Sequence, residues 1–302
     1  TVEALIRVMK EDPDYKTQHL DGQTILLEDV LEVRPDLRND LQQLIDEKRL
    51  IIGPWYVMPD EFLVSGEALI RNLMLGHRTA LEWNTDVWKF GYVCDIFGHI
   101  AQMPQIMRGF DIPSMLIWRG ANDSTTPPYF RWQAPDGSET LVVRIGDEWA
   151  YGSFWHWTYG SYEDQLMPKD EFKAKAKECI DRELERTDGF PCIVLMNGHD
   201  HAPINRNVPT YISWIEELYP EAEVVHGNLE EMGGLLEAEK PRMEVRRGEF
   251  IEPAEKLEGH LALITNTLSS YYPLKKSNDE CQTLLERIAG PMTAFRHLQG
   301  DS

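Results

Sequence analysis

Residues 91–104, GYVCDIFGHIAQMP, pass from a strand-like apolar run into a helix-like one and set a carboxylate, Asp95, and an imidazole, His99, at the junction. In α/β folds the side chains that meet a ligand sit where strands end, at the carboxyl edge of a parallel sheet. The alternation around this stretch decides whether such a sheet is present. Strand-like runs occur at 15–22 (YKTQHLDG), 49–57 (RLIIGPWYV), 87–96 (VWKFGYVCDI), 114–120 (SMLIWRG), 192–198 (CIVLMNG) and 222–227 (AEVVHG). Between them, apolar residues recur at helical spacing over 25–48, 65–84, 100–110, 169–187 and 208–220. The pattern predicts a parallel sheet covered by crossover helices. Residues 129–134 and 140–145 alternate on either side of Asp136-Gly137, which predicts a hairpin inserted in the series. Past Glu249 the pattern changes, and residues 277–298 read as a helix with no strand after it.

Composition narrows the function. At 302 residues and 42% hydrophobic, the chain can bury the core of one large domain or of a domain with an appendage. A formal charge of −21 and a pI near 4.8 repel nucleic acid and anionic membranes over most of the surface, so neither is an expected partner. No apolar run is long enough to span a bilayer, and the first residues read as the tail of an amphipathic helix. The expectation is a cytoplasmic protein, with a homo-oligomer left open. Cys94, Cys179, Cys192 and Cys281 lack CxxC spacing and read as reduced thiols, Cys94 as a small apolar filler on a strand.

Polar side chains collect at all six strand ends: Asp21 and Gln23; Trp55, Asp60 and Glu61; Asp95, Phe97 and His99; Arg119; Asn197, His199, Asp200 and His201; and His226. Singly, each has a plain reading. Asp95 would serve as a helix N-cap, Asp21, Arg119 and His226 as turn or surface-pair residues, and Trp55, Phe97 and Trp118 as core. A structural sheet needs no such crowding at every end, and aromatic rings beside carboxylates offer a platform for a sugar ring. The run NGHDH at 197–201 stands out because its neighbouring ionisable groups perturb one another.

Residues 20–78, with PDEFLVSGEALIRN, then DIFGH at 95–99, IWRG at 117–120 and LSSYYPLKKSN at 268–278, resemble the N-terminal catalytic domain of glycoside hydrolase family 38, the retaining α-mannosidases. The resemblance implies a seven-stranded parallel α/β barrel over residues 1–250, followed over 251–302 by a linker and the first helix of a three-helix bundle. It implies zinc-dependent exo-hydrolysis of α-mannosides or oligosaccharides through a covalent glycosyl-aspartate. Asp95 takes the place of nucleophile and zinc ligand, Phe97 packs on the sugar, Arg119 lies beside the nucleophile, and Asp200 is the acid/base. Asp60 and His199 complete the expected substrate-binding set. A retaining pair needs two carboxyl groups about 5–5.5 Å apart, which two strand ends facing each other can supply. Zinc would grip sugar hydroxyls as a template and Lewis acid.

Three departures qualify the resemblance. The family's His-x-Asp zinc pair would precede residue 1, and its last zinc histidine would follow Ser302, so Asp95 is the one family zinc ligand found in the chain. Tyr271 stands where related sequences often carry arginine. The expectation is a piece of a longer enzyme that lacks its first strand, folds marginally alone and binds zinc weakly. Two alternatives remain at this stage: a metal-dependent polysaccharide deacetylase on a related barrel, suggested by NGHDH, and a non-catalytic sugar-binding domain.

Overall fold

A computed structural model describes residues 2–146, 150–162, 165–253 and 270–300. The first half alternates helix and strand: α1 (Val2–Glu11), β1 (Gln18–His19), α2 (Ile25–Val33), α3 (Arg38–Asp46), β2 (Leu50–Ile51), α4 (Gly66–Glu82), β3 (Phe90–Val93), α5 (Met103–Gly109) and β4 (Ser114–Ile117). A hairpin follows, β5 (Tyr129–Gln133) and β6 (Glu139–Arg144), and then α6 (Ser153–Trp157), α7 (Lys169–Thr187), α8 (Val208–Leu218) and α9 (Leu229–Glu237). Strand β7 (Val245–Arg247) precedes α10 (Tyr272–Leu284) and α11 (Gly290–Leu298).

The strands β3 and β4 are buried at every position, as an apolar run without polar alternation requires when both faces of a sheet are covered. Period-two alternation then splits the sheet's side chains. Val93, Met115, Ile117, Phe130, Trp132 and Val142 pack with Leu69 and Leu73 of α4 and Met103 and Met107 of α5. Phe90, Tyr92, Leu116, Tyr129, Leu141 and Val143 pack with Leu229, Met232 and Leu236 of α9. A separate cluster joins α1, α3, α7 and α8 around Leu50 and Ile52.

The α/β class matches the sequence reading, and so do the helices and the hairpin, whose Gly137 takes φ +90° in the turn. The sheet itself differs from an all-parallel array. Strands β1 and β2 form a two-stranded parallel sheet, and the other five lie in the order β3-β4-β6-β5-β7. Strands β3, β4 and β6 are parallel, whereas β5 and β7 run against them, because the hairpin enters through β6 beside β4. Residues 192–198 and 222–227, read as strands, belong to no ladder. Their backbones find isolated partners: Cys192 O accepts from the Tyr129 hydroxyl at 3.1 Å, and His226 O from the Thr17 hydroxyl at 3.2 Å. Apolar alternation specifies which side chains are buried and leaves open whether a neighbouring backbone stands in register. Strand β7, in a polar stretch, gave no such signal.

All four cysteines are free. Among the described residues no helix is long and apolar enough to cross a membrane. Most of the linker expected after residue 251 lies outside the described residues. Helix α10 meets the start of α4, where Ser65 caps the helix by accepting from Ala68 N–H at 3.0 Å and donates its own N–H to Gln282 at 3.1 Å. Tyr271 is largely exposed at the start of α10.

Candidate active site

Register brings the first pair together. Val93 lies opposite Ile117 in the β3–β4 ladder, so the residues two places beyond each, Asp95 and Arg119, emerge side by side at the carboxyl edge. The Arg119 Nε–H donates to Asp95 Oδ1 at 2.5 Å, with the arginine side chain mostly buried and the aspartate about one-third exposed (11% and 35%). The guanidinium lies over the ring of Trp118 at 4.0 Å and near that of Phe97 at 5.2 Å, so aromatic faces hold it against the carboxylate. Asp95 is not a cap: α5 begins at Met103, with Gln102 at its N-cap.

Asp200 joins through a residue that the sequence did not single out. The Tyr151 hydroxyl lies 2.9 Å from Asp200 Oδ2 and 3.3 Å from Asp95 Oδ2. Burial, then the charge of Asp95 and the hydrogen bond to Asp200, push its phenol pKa well up, so it stays a donor. Its backbone runs along the NGHDH segment: Gly198 N–H donates to Tyr151 O at 2.8 Å and Phe154 N–H to Met196 O at 3.0 Å. The His199 ring lies tilted against Trp155 with centroids 4.1 Å apart, and its Nδ1, 2.7 Å from the Asp200 carbonyl, must carry the hydrogen of that contact.

A third carboxyl group, Asp21, lies at the end of β1. Solvent reaches it, yet the protein around it pushes its pKa up to about 6 by burial, opposed by hydrogen bonds from Gln23 and Tyr92 and reinforced by the charges of Asp200 and Asp95. The remaining candidates lie elsewhere. Asp60 makes no hydrogen bond to Asp95, Arg119 or Asp200; burial raises its pKa, and its Oδ1 is buried without a partner among the described residues. His99 turns inward, its Nδ1 2.9 Å from Glu61 with both side chains inaccessible to solvent. His226 packs on Tyr15, and burial lowers its pKa to about 4.

The family pattern for the N-terminal domain of glycosyl hydrolases family 38 matches residues 1–230. The chain belongs to glycosyl hydrolase family 38. It is 31% identical over 304 residues to a protein of Halalkalibacterium halodurans provisionally named a mannosylglycerate hydrolase, covering 95% of this chain and 32% of that protein. Alpha-mannosidase 2C1 of Mus musculus is 27% identical over 277 residues, covering 77% of this chain and 25% of the relative. Among solved structures, an alpha-mannosidase from Enterococcus faecalis superposes with a TM-score of 0.73 at 28% identity, covering 82% of this chain and 27% of that one. The chain thus spans about a third or less of the length of these relatives.

Family 38 implies zinc, and the described residues do not make a complete site for it. They hold no group of three His, Cys, Asp or Glu side chains able to bind a metal. Asp95, the expected ligand, already accepts from Arg119 on Oδ1 and meets Tyr151 on Oδ2. Zinc sites ordinarily use three or four protein ligands. The deacetylase alternative needs an aspartate and two histidines on one metal, and the described residues bring no such group of three together.

Proposed function

We propose that this family 38 protein hydrolyses α-mannosides with retention of configuration, removing mannose from the end of a glycoside or oligosaccharide. One observation carries the reading: a single hydroxyl, that of Tyr151, reaches Asp95 and Asp200 at once. The two contacts, 2.9 and 3.3 Å, hold their Oδ2 atoms within 6.2 Å of each other, which is compatible with the ~5–5.5 Å of a retaining pair.

In this reading Asp95 attacks the anomeric carbon as the bond to the aglycone oxygen breaks, and Asp200 gives that oxygen its proton. Water then enters; Asp200 takes its proton back as general base, and the oxygen attacks the glycosyl carbon to release Asp95. Arg119 holds Oδ1 of Asp95, and Oδ2, which meets the Tyr151 hydroxyl only at 3.3 Å, is the oxygen that attacks. Tyr151 orients both carboxyl groups. Phe97 offers an apolar face to the sugar ring, and Trp118 supports it from behind by carrying the Arg119 guanidinium; His199 and Asp60 keep the substrate-binding roles expected from the family resemblance. Zinc dependence, with Asp95 as one ligand, belongs to the same reading, as do a closed barrel over residues 1–250 and the bundle helix within 251–302.

The test is covalent trapping. A fluorinated mannoside that reacts but turns over slowly should label Asp95 in the full-length protein, and Asp95→Asn should take no label and lose orders of magnitude in kcat. Labelling of the Asn variant at another residue defeats the assignment, and release of acetate without mannose from an acetylated glycan would favour the deacetylase.

A further inference from the structure

The β3–β4 ladder ends at Val93 and Ile117, yet the pair that matters, Asp95 and Arg119, lies beyond it. What aligns the two loops is a third stretch of chain, outside the 1–230 span that the family pattern matches. Residues 250–252 lie antiparallel to both loops at once. Phe250 exchanges both backbone hydrogen bonds with His99, each at 2.9 Å, and Glu252 N–H donates to Gly120 O at 2.9 Å. His99 is four residues from Asp95, and Gly120 follows Arg119 directly.

The approach is close enough to require glycine on both loops. A Cβ on Gly120 would collide with Phe250 O, and one on Gly98 would sit 2.9 Å from the same oxygen; both glycines have positive φ, +86° and +101°. The stretch is anchored at both ends. The Phe250 ring packs edge-on to Trp132 at 4.9 Å, and Trp132 Nε1–H donates to Gly248 O at 2.9 Å. The Glu252 carboxylate accepts from the Thr125 hydroxyl at 2.6 Å and from Asn122 Nδ2 at 3.2 Å, and Asn122 also donates to Pro253 O at 2.9 Å. From the inner side, Glu61 takes His99 Nδ1 on one oxygen and Ile100 N–H on the other at 2.8 Å.

We propose that residues 250–252 form a clasp that holds the Asp95 and Arg119 loops in register, with Glu252 the positioning residue that closes it. Glu252 bonds to Gly120, Thr125 and Asn122, and its side chain is exposed, so its removal leaves the core intact. Acting through the backbone of Gly120, its loss would let the Arg119 loop drift against the Asp95 loop. The proposal rests on the assignment of Asp95 and Arg119 above.

The experiment compares Glu252→Ala, Glu252→Gln and, as a control on an exposed neighbour, Glu249→Ala in the full-length protein. Two readouts are taken: kcat and KM on an aryl α-mannoside, and amide exchange at His99 and Glu252. Expected for Glu252→Ala is a fall in kcat of about tenfold with KM little changed, because misplacement of reacting groups acts on the chemical step. Exchange at both amides should quicken, Glu252→Gln should recover most of the loss, and Glu249→Ala should match wild type. The clasp is overturned if Glu252→Ala keeps kcat within twofold, or if Gln restores nothing and KM and melting temperature fall together. Should the wild type cleave no α-mannoside, the functional reading fails separately, and unchanged exchange in Glu252→Ala would then overturn the clasp.

Discussion

Replacing Tyr151 by Phe removes one oxygen and leaves the ring, with its edge contact to Trp118 at 5.7 Å, in place. The lost hydroxyl can donate to one carboxylate at a time, and the shorter contact, 2.9 Å to Asp200 against 3.3 Å to Asp95, is the bond at stake. A hydrogen bond to a charged group contributes about 1.5–3 kcal/mol, which corresponds to about 10–150-fold in rate if it is fully expressed in the transition state. We expect kcat/KM on an aryl α-mannoside to fall within that range in Tyr151→Phe. Asp200 is exposed and resolvates readily, so the melting temperature should move little. Initial-rate kinetics on purified full-length protein, paired with a circular-dichroism melt, measure both. A Phe variant within twofold of wild type would show that the hydroxyl does not set the geometry of the two carboxyl groups, and the separation argument for a retaining pair would lose its footing.

Asp200→Ala should damage mannosides of poor leaving groups far more than activated dinitrophenyl mannosides, which need little protonation; equal losses, with the first step rate-limiting, would move the acid elsewhere. Burial lowers the pKa of His19, His77 and His226 from 6.5 to about 4. The unfolded chain then binds protons that the native state refuses, so stability falls as pH drops from 6.5 towards 4, by at most about 3 kcal/mol per histidine and about 1–2 after allowance for partial exposure. Asp21 works in the opposite sense between 3.8 and about 6, because its raised pKa makes the native state bind the extra proton, and Asp60 and Glu61, also raised by burial, join it; Asp36, Glu171, Asp181 and Glu217, lowered by their hydrogen-bond partners, side with the three histidines. Urea unfolding at pH 7 and pH 5 reads the balance, and equal stability at the two would contradict it. Gly76, inside α4, lies so close to the backbone of Pro54 and Trp55 that a Cβ would collide with Pro54 O. Gly76→Ala should therefore destabilise by about 1–3 kcal/mol despite alanine's better helix propensity, and an unchanged or raised melting temperature would refute the close packing.

Much of this protein was legible before any coordinate. Helical periodicity located α4, α5, α7 and α8, Asp136-Gly137 marked the hairpin, and residues 95–99 with 117–120 carried the family resemblance. These features depend on neighbours within a few residues, which is the range over which propensity and side-chain periodicity act. The Asp95–Arg119 pair was reachable as well, since both lie two residues beyond strands that read clearly.

Tertiary structure decided the rest. Tyr151 sits in an aromatic-rich run with no local mark of its role, and only the folding of that run along residues 196–198 delivers its hydroxyl to two carboxylates 56 and 49 residues away. His99 read as a site residue because it shares a motif with Asp95, but Glu61, 38 residues earlier, takes its ring into the core. Residues 192–198 and 222–227 have the apolar content of strands, and β7 does not, yet only β7 found a backbone in register. A sequence states which side chains seek burial; which backbone lies opposite, and which distant side chain closes a site, follow only once the chain has packed, because those contacts depend on the position of every element between them.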